Sequence, residues 1–186
     1  MIVLALDLSL TSTGYVLGEV CPTFGGPRID AYGTIRPKPK QPLEDRLLYL
    51  YDELARLCLR YEPLQAVAER FTPSGRTMSG ESIVKLAGPH AIAHLALARA
   101  DLLRPVILYL TNSHAKKVIL GDGRADVGAV RVFVRRAFPQ LPWPEKWASK
   151  KNKYDDIADA AIIWACYAVE HYRADLSKLR IPPQSL

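Results

Sequence analysis

A chain of 186 residues, 49% hydrophobic and 24% charged, has an ordinary globular composition long enough to bury one core, and no segment approaches the length of a membrane span. Its formal net charge of +6 favours a polyanionic partner, most simply nucleic acid. Three cysteines, Cys21, Cys58 and Cys166, fit neither a disulfide framework nor a zinc motif and point to reduced thiols in a cytoplasmic setting.

Ile2 to Asp7 is a short apolar run that ends on a carboxylate, and it reads as a strand buried on both faces. It begins at once, which leaves no room for a signal peptide. Ser9 to Gly14 is a polar turn, and Tyr15 to Val20 reads as a returning strand. After the Pro/Gly loop from Pro22 to Pro27, Ile29 to Ile35 completes an antiparallel meander. Pro37 to Pro42 is a stiff basic linker that cannot be helical. Leu43 to Arg60 carries apolar residues at helical spacing. Leu64 to Glu69 is a second apolar run ending on a carboxylate.

Phe71 to Gly80 is a polar loop. Glu81 to Ala100 is a long apolar helix with an expected bend at Gly88-Pro89. Pro105 to Leu110 is a strand. Asn112 or Ser113 is expected to cap the helix through Lys116, Lys117 and Val118, which Gly121-Asp122-Gly123 closes. Asp126 to Phe138 is a further helix. Lys146 to Lys153 is a basic loop, and Asp155 or Asp156 begins a last helix that runs to about Tyr172. The expectation is one α/β domain over residues 1–174, with a mixed five-stranded sheet flanked by helices, and a loosely held tail over 175–186.

Four carboxylates form the candidate site. Asp7 and Glu69 end two strands, and Asp156 and Asp159 lie three apart at the start of the final helix, on one face. Ala158, Ala160 and Ala161 are small enough to let that helix lie close to the sheet. If the strands are neighbours and the helix crosses their ends, the four acids meet, and such a cluster repels itself unless divalent cations neutralise it. Oxygen-only ligation suits Mg²⁺ or Mn²⁺. Each acid alone also has a structural reading as a cap, a turn residue or half of an ion pair. Asp155, four residues before Asp159, competes with Asp156 for the ligand role. His90 and His94, four apart on the long helix, lack an acidic or cysteine partner nearby and read as a packed or interfacial face. His114, near a helix start, reads as exposed or capping.

These stretches resemble the RuvC-type Holliday junction resolvases of the ribonuclease H-like superfamily. The likeness rests on Ala5-Leu6-Asp7-Leu8-Ser9 with Thr13-Gly14-Tyr15, and on Ala66-Val67-Ala68-Glu69-Arg70-Phe71. It extends through Ser82 to Gly88, Lys116 to Gly123 with Ala125 and Val130, and Asp156-Ile157-Ala158-Asp159-Ala160-Ala161. It covers residues 1 to 172 in order. It implies a ribonuclease H-like fold and cleavage of four-way DNA junctions into 5′-phosphate and 3′-hydroxyl ends; a junction's two symmetric strands, and a helix from Glu81 to Ala100 too apolar to leave half exposed, lead to the expectation of a homodimer. The likeness also implies two Mg²⁺ ions, replaceable by Mn²⁺, held by Asp7, Glu69, Asp156 and Asp159, with Lys116 at the scissile phosphate.

The expected DNA contacts are Phe71, Arg76, Lys85, Lys117, Arg124, Lys150 and Lys151. Val127 stands where the family keeps a second lysine, and Arg124 or Arg131 is expected to replace its charge. The basic linker and the loop from Trp143 to Lys153 suggest a divergent, phage-borne member, acting in a bacterial cytoplasm or a phage-infected host. The rival readings are a ribonuclease H-like nuclease for RNA–DNA hybrid or other branched DNA, and a branched-DNA binder without catalysis.

Overall fold

The computed structural model describes residues 1–20, 26–70, 79–99, 107–139, 141–147 and 153–179, apart from the side chain of Glu81. Five strands, β1 (Ile2–Asp7), β2 (Thr13–Glu19), β3 (Arg28–Ile35), β4 (Gln65–Glu69) and β5 (Ile107–Leu110), form one sheet in the order β3-β2-β1-β4-β5. The first three make the antiparallel meander, while β4 and β5 run parallel to β1 after helical crossovers. The mixed sheet agrees with the reading from sequence. Helices α1 (Leu43–Tyr61), α2 (Gly80–Arg99), α3 (Asn112–Leu120), α4 (Val127–Ala137) and α5 (Lys153–Tyr172) complete the fold.

Strand alternation divides the core in two. Leu4, Leu6, Ala66 and Ala68 pack towards α1 and α2, with Leu50, Leu54 and Leu97. Val3, Ala5, Val16 and Val67 face α5, α3 and α4. Ala158, Ala161, Ala165 and Ala168 of α5 recur at helical spacing and are all buried. A face of small residues brings the α5 backbone close to the sheet. At Gly14 the approach is so close that an added Cβ would lie 2.0 Å from the carbonyl oxygen of Asp156. Only glycine fits there.

Two details differ from the sequence reading. Thr111 caps α3, its hydroxyl accepting from the His114 amide at 3.2 Å, because it is the last extended residue before the helix. Helix α5 begins at Lys153, ahead of the Asp155 or Asp156 start expected from sequence, so both acids lie within its first turn. In agreement with that reading, α2 is one helix with Pro89 inside it, and the Gly88 backbone packs closely on Leu47.

The Gly-x-Gly turn after α3 has a cause at each end. Gly121 has φ +79°, and a Cβ on Gly123 would lie 2.8 Å from the Ser113 carbonyl. In the segment beyond residue 174, Leu176–Lys178 form a 3₁₀ turn and Leu179 is buried against the α5 side of the core. Cys58 and Cys166 are free and buried, while Cys21 lies outside the described residues. Among the described residues, no helix is long and apolar enough to cross a membrane.

Candidate active site

Strand register puts two acids side by side. Leu6 pairs with Ala68 in the parallel β1–β4 ladder, so the next residues along, Asp7 and Glu69, end adjacent strands at the same edge of the sheet. Both fall on the alternation that carries Val3, Ala5 and Val67 towards α5. On its other side Asp7 pairs with Gly14, the residue against which the Asp156 backbone lies. The N-terminal turn of α5 therefore sits over the end of β1. Asp7 is 7% exposed and Asp156 6% exposed, and Glu69 and Asp159 are half-buried. Asp159 follows Asp156 by three residues and shares its face of the helix. The acids predicted to meet thus occupy one corner of the fold.

Asp155 and Asp156 point about 100° apart around α5 and have different neighbours. The Arg131 guanidinium, on α4, donates twice to Asp155, at 2.8 and 2.9 Å, in a bidentate pair. It also lies 4.9 Å from the centre of the Trp147 ring. This pair ties α4 to the start of α5. Of the two residues expected to replace the charge of the family's second lysine, Arg131 is thus paired with Asp155, while Arg124 is exposed. Asp156 instead accepts from the Ser12 hydroxyl at 2.5 Å, and Arg36 reaches it at 3.5 Å. Arg36 also donates to Ser12 Oγ at 2.9 Å, so hydroxyl and guanidinium hold one Asp156 oxygen together.

The turn that presents Ser12 is itself closed. The buried Thr13 hydroxyl donates to the Ser9 carbonyl at 2.8 Å and accepts from the Ser9 amide at 3.2 Å. Arg46 of α1 anchors the same turn through the Leu10 carbonyl, 3.0 Å away. The sequence reading misses Ser12, Arg36 and Arg46. The meander holds the signal for Arg36: Ile35 pairs with Thr13, so the residue after β3 must lie beside the β1–β2 turn.

The expected DNA contacts fall in several places. Lys85 is exposed on α2 and, with Arg46, lines a cleft of about 370 Å³ beside Leu8 to Thr11, just past Asp7. Arg124 and Lys117 are exposed around the α3–α4 turn, and Val127 is 50% exposed beside them. Lys116 is half-buried, and its ammonium donates to the Ala125 carbonyl at 3.0 Å. Phe71, Arg76, Lys150 and Lys151 lie outside the described residues. His90 and His94 pack on the Tyr109 ring, and His94 shares a hydrogen bond with its hydroxyl at 3.0 Å. Burial, with His94 beside it, holds His90 below the usual imidazole range. His114 is exposed as expected, but it also meets Glu170 of α5 at 2.9 Å.

The donor set suits a hard divalent cation. It offers only carboxylate oxygens, two of them on nearly buried residues, in a corner where like charges are screened poorly.

The family model for the crossover junction endodeoxyribonuclease RuvC matches residues 3–167. The chain belongs to the RuvC family. RuvC of Desulforamulus reducens is 32% identical over 174 residues, covering 90% of this chain and 93% of that protein. RuvC of Pelotomaculum thermopropionicum is 30% identical over 92% of this chain and 94% of its own length. The solved structure of Thermus thermophilus RuvC in complex with a Holliday junction substrate superimposes with a TM-score of 0.68 at 19% identity, over 94% of this chain and 98% of that one. The RuvC fold thus accounts for nearly the whole chain, and membership makes this a metal-dependent nuclease.

Proposed function

We propose that the protein resolves four-way (Holliday) DNA junctions by paired, symmetric hydrolytic nicks. The observation that carries this reading is the convergence of Asp7 and Glu69 with the first turn of α5, in a basic chain of the RuvC family. Asp7, Glu69, Asp156 and Asp159 would hold two Mg²⁺ ions, with Mn²⁺ able to substitute. Such ions supply Lewis acidity that activates water and neutralises charge on the scissile phosphate. The products are 5′-phosphate and 3′-hydroxyl ends.

The chain's own residues set up the reaction. Ser12 and Arg36 hold Asp156 in one orientation. Arg131 holds Asp155 away from the ligand role. Asp156→Asn is therefore expected to lower the cleavage rate at least ~100-fold, while Asp155→Asn keeps it within ~10-fold of wild type and lowers the melting temperature instead. Single-turnover rates and thermal melts on both variants check this, and equal rate losses with unchanged melting would refute the assignment.

Lys116 is proposed to act at the scissile phosphate. One of its three N–H donors is used on the Ala125 carbonyl, leaving two for a phosphoryl oxygen. Lys116→Ala should lower the rate at saturating enzyme at least ~10-fold, equivalent to about 1.4 kcal/mol. Lys117→Ala should only weaken binding and reduce the salt dependence by about one ion. A wild-type saturated rate in Lys116→Ala would contradict the role. Lys85 and Arg46 would follow the phosphate backbone through the cleft beside Asp7. Arg124 would contact phosphates from the α3–α4 turn, Arg76, Lys150 and Lys151 would add further phosphate contacts, and Phe71 would meet bases at the junction centre.

The active form is proposed to be a homodimer. Helix α2 buries Ala93, Ala96 and Leu97 in the core but leaves Ile83, Val84, Leu86 and Leu95 between 44% and 58% exposed, a second apolar face that a partner copy would cover. A two-fold dimer also matches a junction with two symmetric strands to cut. This reading puts the protein's work in the cytoplasm of a bacterium or a phage-infected host. It is tested with Mg²⁺, a four-way junction, linear duplex and RNA–DNA hybrid. Cleavage of the junction alone is expected. Preferential cleavage of hybrid would indicate another ribonuclease H-like activity, and junction binding without cleavage would indicate a binding protein.

A further inference from the structure

Away from the acid corner, three side chains of different donor chemistry meet where α3 crosses the later half of α5. His114 Nε2 lies 2.9 and 3.1 Å from the two Glu170 carboxylate oxygens, and Cys166 Sγ lies 3.5 Å from one of them. All three donor atoms fall within 4.8 Å of one another. Cys166 is fully buried at the floor, whereas His114 and Glu170 face outward, their side chains 46% and 33% exposed. We propose that His114, Cys166 and Glu170 form a binding site for a borderline divalent transition metal, best matched by Zn²⁺, that clamps α3 to α5.

The spacing and the chemistry both fit. Sulfur, imidazole nitrogen and carboxylate oxygen around tetrahedral Zn²⁺ stand about 3.3–3.6 Å apart, given the usual bond lengths of roughly 2.0–2.3 Å. The His114–Glu170 pair needs to open by only a few tenths of an ångström, and the Cys166–Glu170 separation already fits. Three protein ligands with an outward-facing side leave the fourth position to water. The mixed set excludes Mg²⁺, which demands oxygen, and selects a softer ion. Binding forms a metal–sulfur bond and releases the thiol proton to solvent.

The site lies about 15 Å along α5 from Asp156, at 1.5 Å per residue, so it is separate from the candidate active site. It joins the helix that carries Lys116 to the helix that carries the acid pair. Sequence spacing hides it, because His114 and Glu170 stand 56 residues apart.

Co²⁺ added to the full-length protein in excess Mg²⁺ provides the test, since Mg²⁺ occupies oxygen-only sites and a thiolate-to-cobalt charge-transfer band reports sulfur ligation alone. The band is expected to saturate at one Co²⁺ per chain and to vanish when Zn²⁺ is added. It should be absent in Cys166→Ser and should need at least ~10-fold more Co²⁺ in His114→Gln and Glu170→Gln. The two outward-facing variants keep the test valid if Cys166→Ser fails to fold. Zn²⁺ should also raise the melting temperature of the wild type in Mg²⁺, and not that of His114→Gln. Absence of the band, its survival in Cys166→Ser, or equal Co²⁺ affinity in His114→Gln and wild type would overturn the proposal.

Discussion

Asp7→Asn is expected to abolish junction cleavage, by ~1000-fold or more, while leaving junction binding within a few-fold of wild type. Asparagine keeps the size of the side chain and removes the charge. The carboxylate stands at the end of β1, between Gly14 on one side and the strand that ends in Glu69 on the other. Both neighbouring ladders stay intact in the variant, so the fold should survive. The charge is what a cation site needs, and losing it forfeits several kcal/mol of charge stabilisation in the transition state. Junction affinity should change little, because phosphate contacts from basic side chains dominate it. Gel-shift binding beside single-turnover cleavage in Mg²⁺ measures the two separately. Wild-type cleavage by Asp7→Asn would remove Asp7 from the site.

Gly14→Ala is expected to be nearly as damaging, for a steric reason. The new methyl would lie 2.0 Å from the Asp156 carbonyl oxygen and 2.4 Å from its carbon, both backbone atoms of α5. A helix backbone cannot turn aside as a side chain does, so the first turn of α5 must move. Overpacking of this kind costs about 1–3 kcal/mol, or a fall in melting temperature of roughly 3–10 °C in a chain of this size. Displacing Asp156 by about an ångström should also cut cleavage on the order of 100-fold, measured well below the melting point.

Gly18→Ala is the matched control. Its methyl would lie 2.1 Å from the Arg28 carbonyl, at the opposite end of β2, where Gly18 pairs with Val3 rather than with Asp7. It should lose stability and keep its cleavage rate. Equal rate losses in the two variants would mean that the close contact at Gly14 does not position the acids.

Periodicity and carboxylate placement make most of the fold and the acid set legible in the sequence. Apolar runs ending on Asp7 and Glu69 identify strands whose last side chains leave the core, and the alanines of α5 announce a helix packed close to a sheet. The pairing of Asp7 with Gly14 is not legible there, because register is a relation between strands. The choice between Asp155 and Asp156 is hidden for the same reason. Both are acids in the first turn of a helix, and their different partners, Arg131 on α4 for Asp155 and Ser12 with Arg36 near the sheet edge for Asp156, appear only in the folded chain. Thr111 does not stand out as a cap because Asn112 and Ser113 are equally good capping residues by type. His114, Cys166 and Glu170 are invisible as a group because α3 and α5 meet only in the folded chain.

The most direct test of the central claim uses a supercoiled plasmid that extrudes a cruciform, incubated with the protein and Mg²⁺. Two matched nicks across the four-way junction, made within one dimeric complex, open the circle into a linear molecule. A single nick releases the supercoiling, reabsorbs the cruciform and leaves a nicked circle. Linear product with mapped, symmetrically placed 5′-phosphate ends, dependent on Mg²⁺ and absent from a plasmid without the inverted repeat, is the predicted result. Nicked circles alone, or equal cleavage of the plasmid without the repeat, would contradict paired junction resolution.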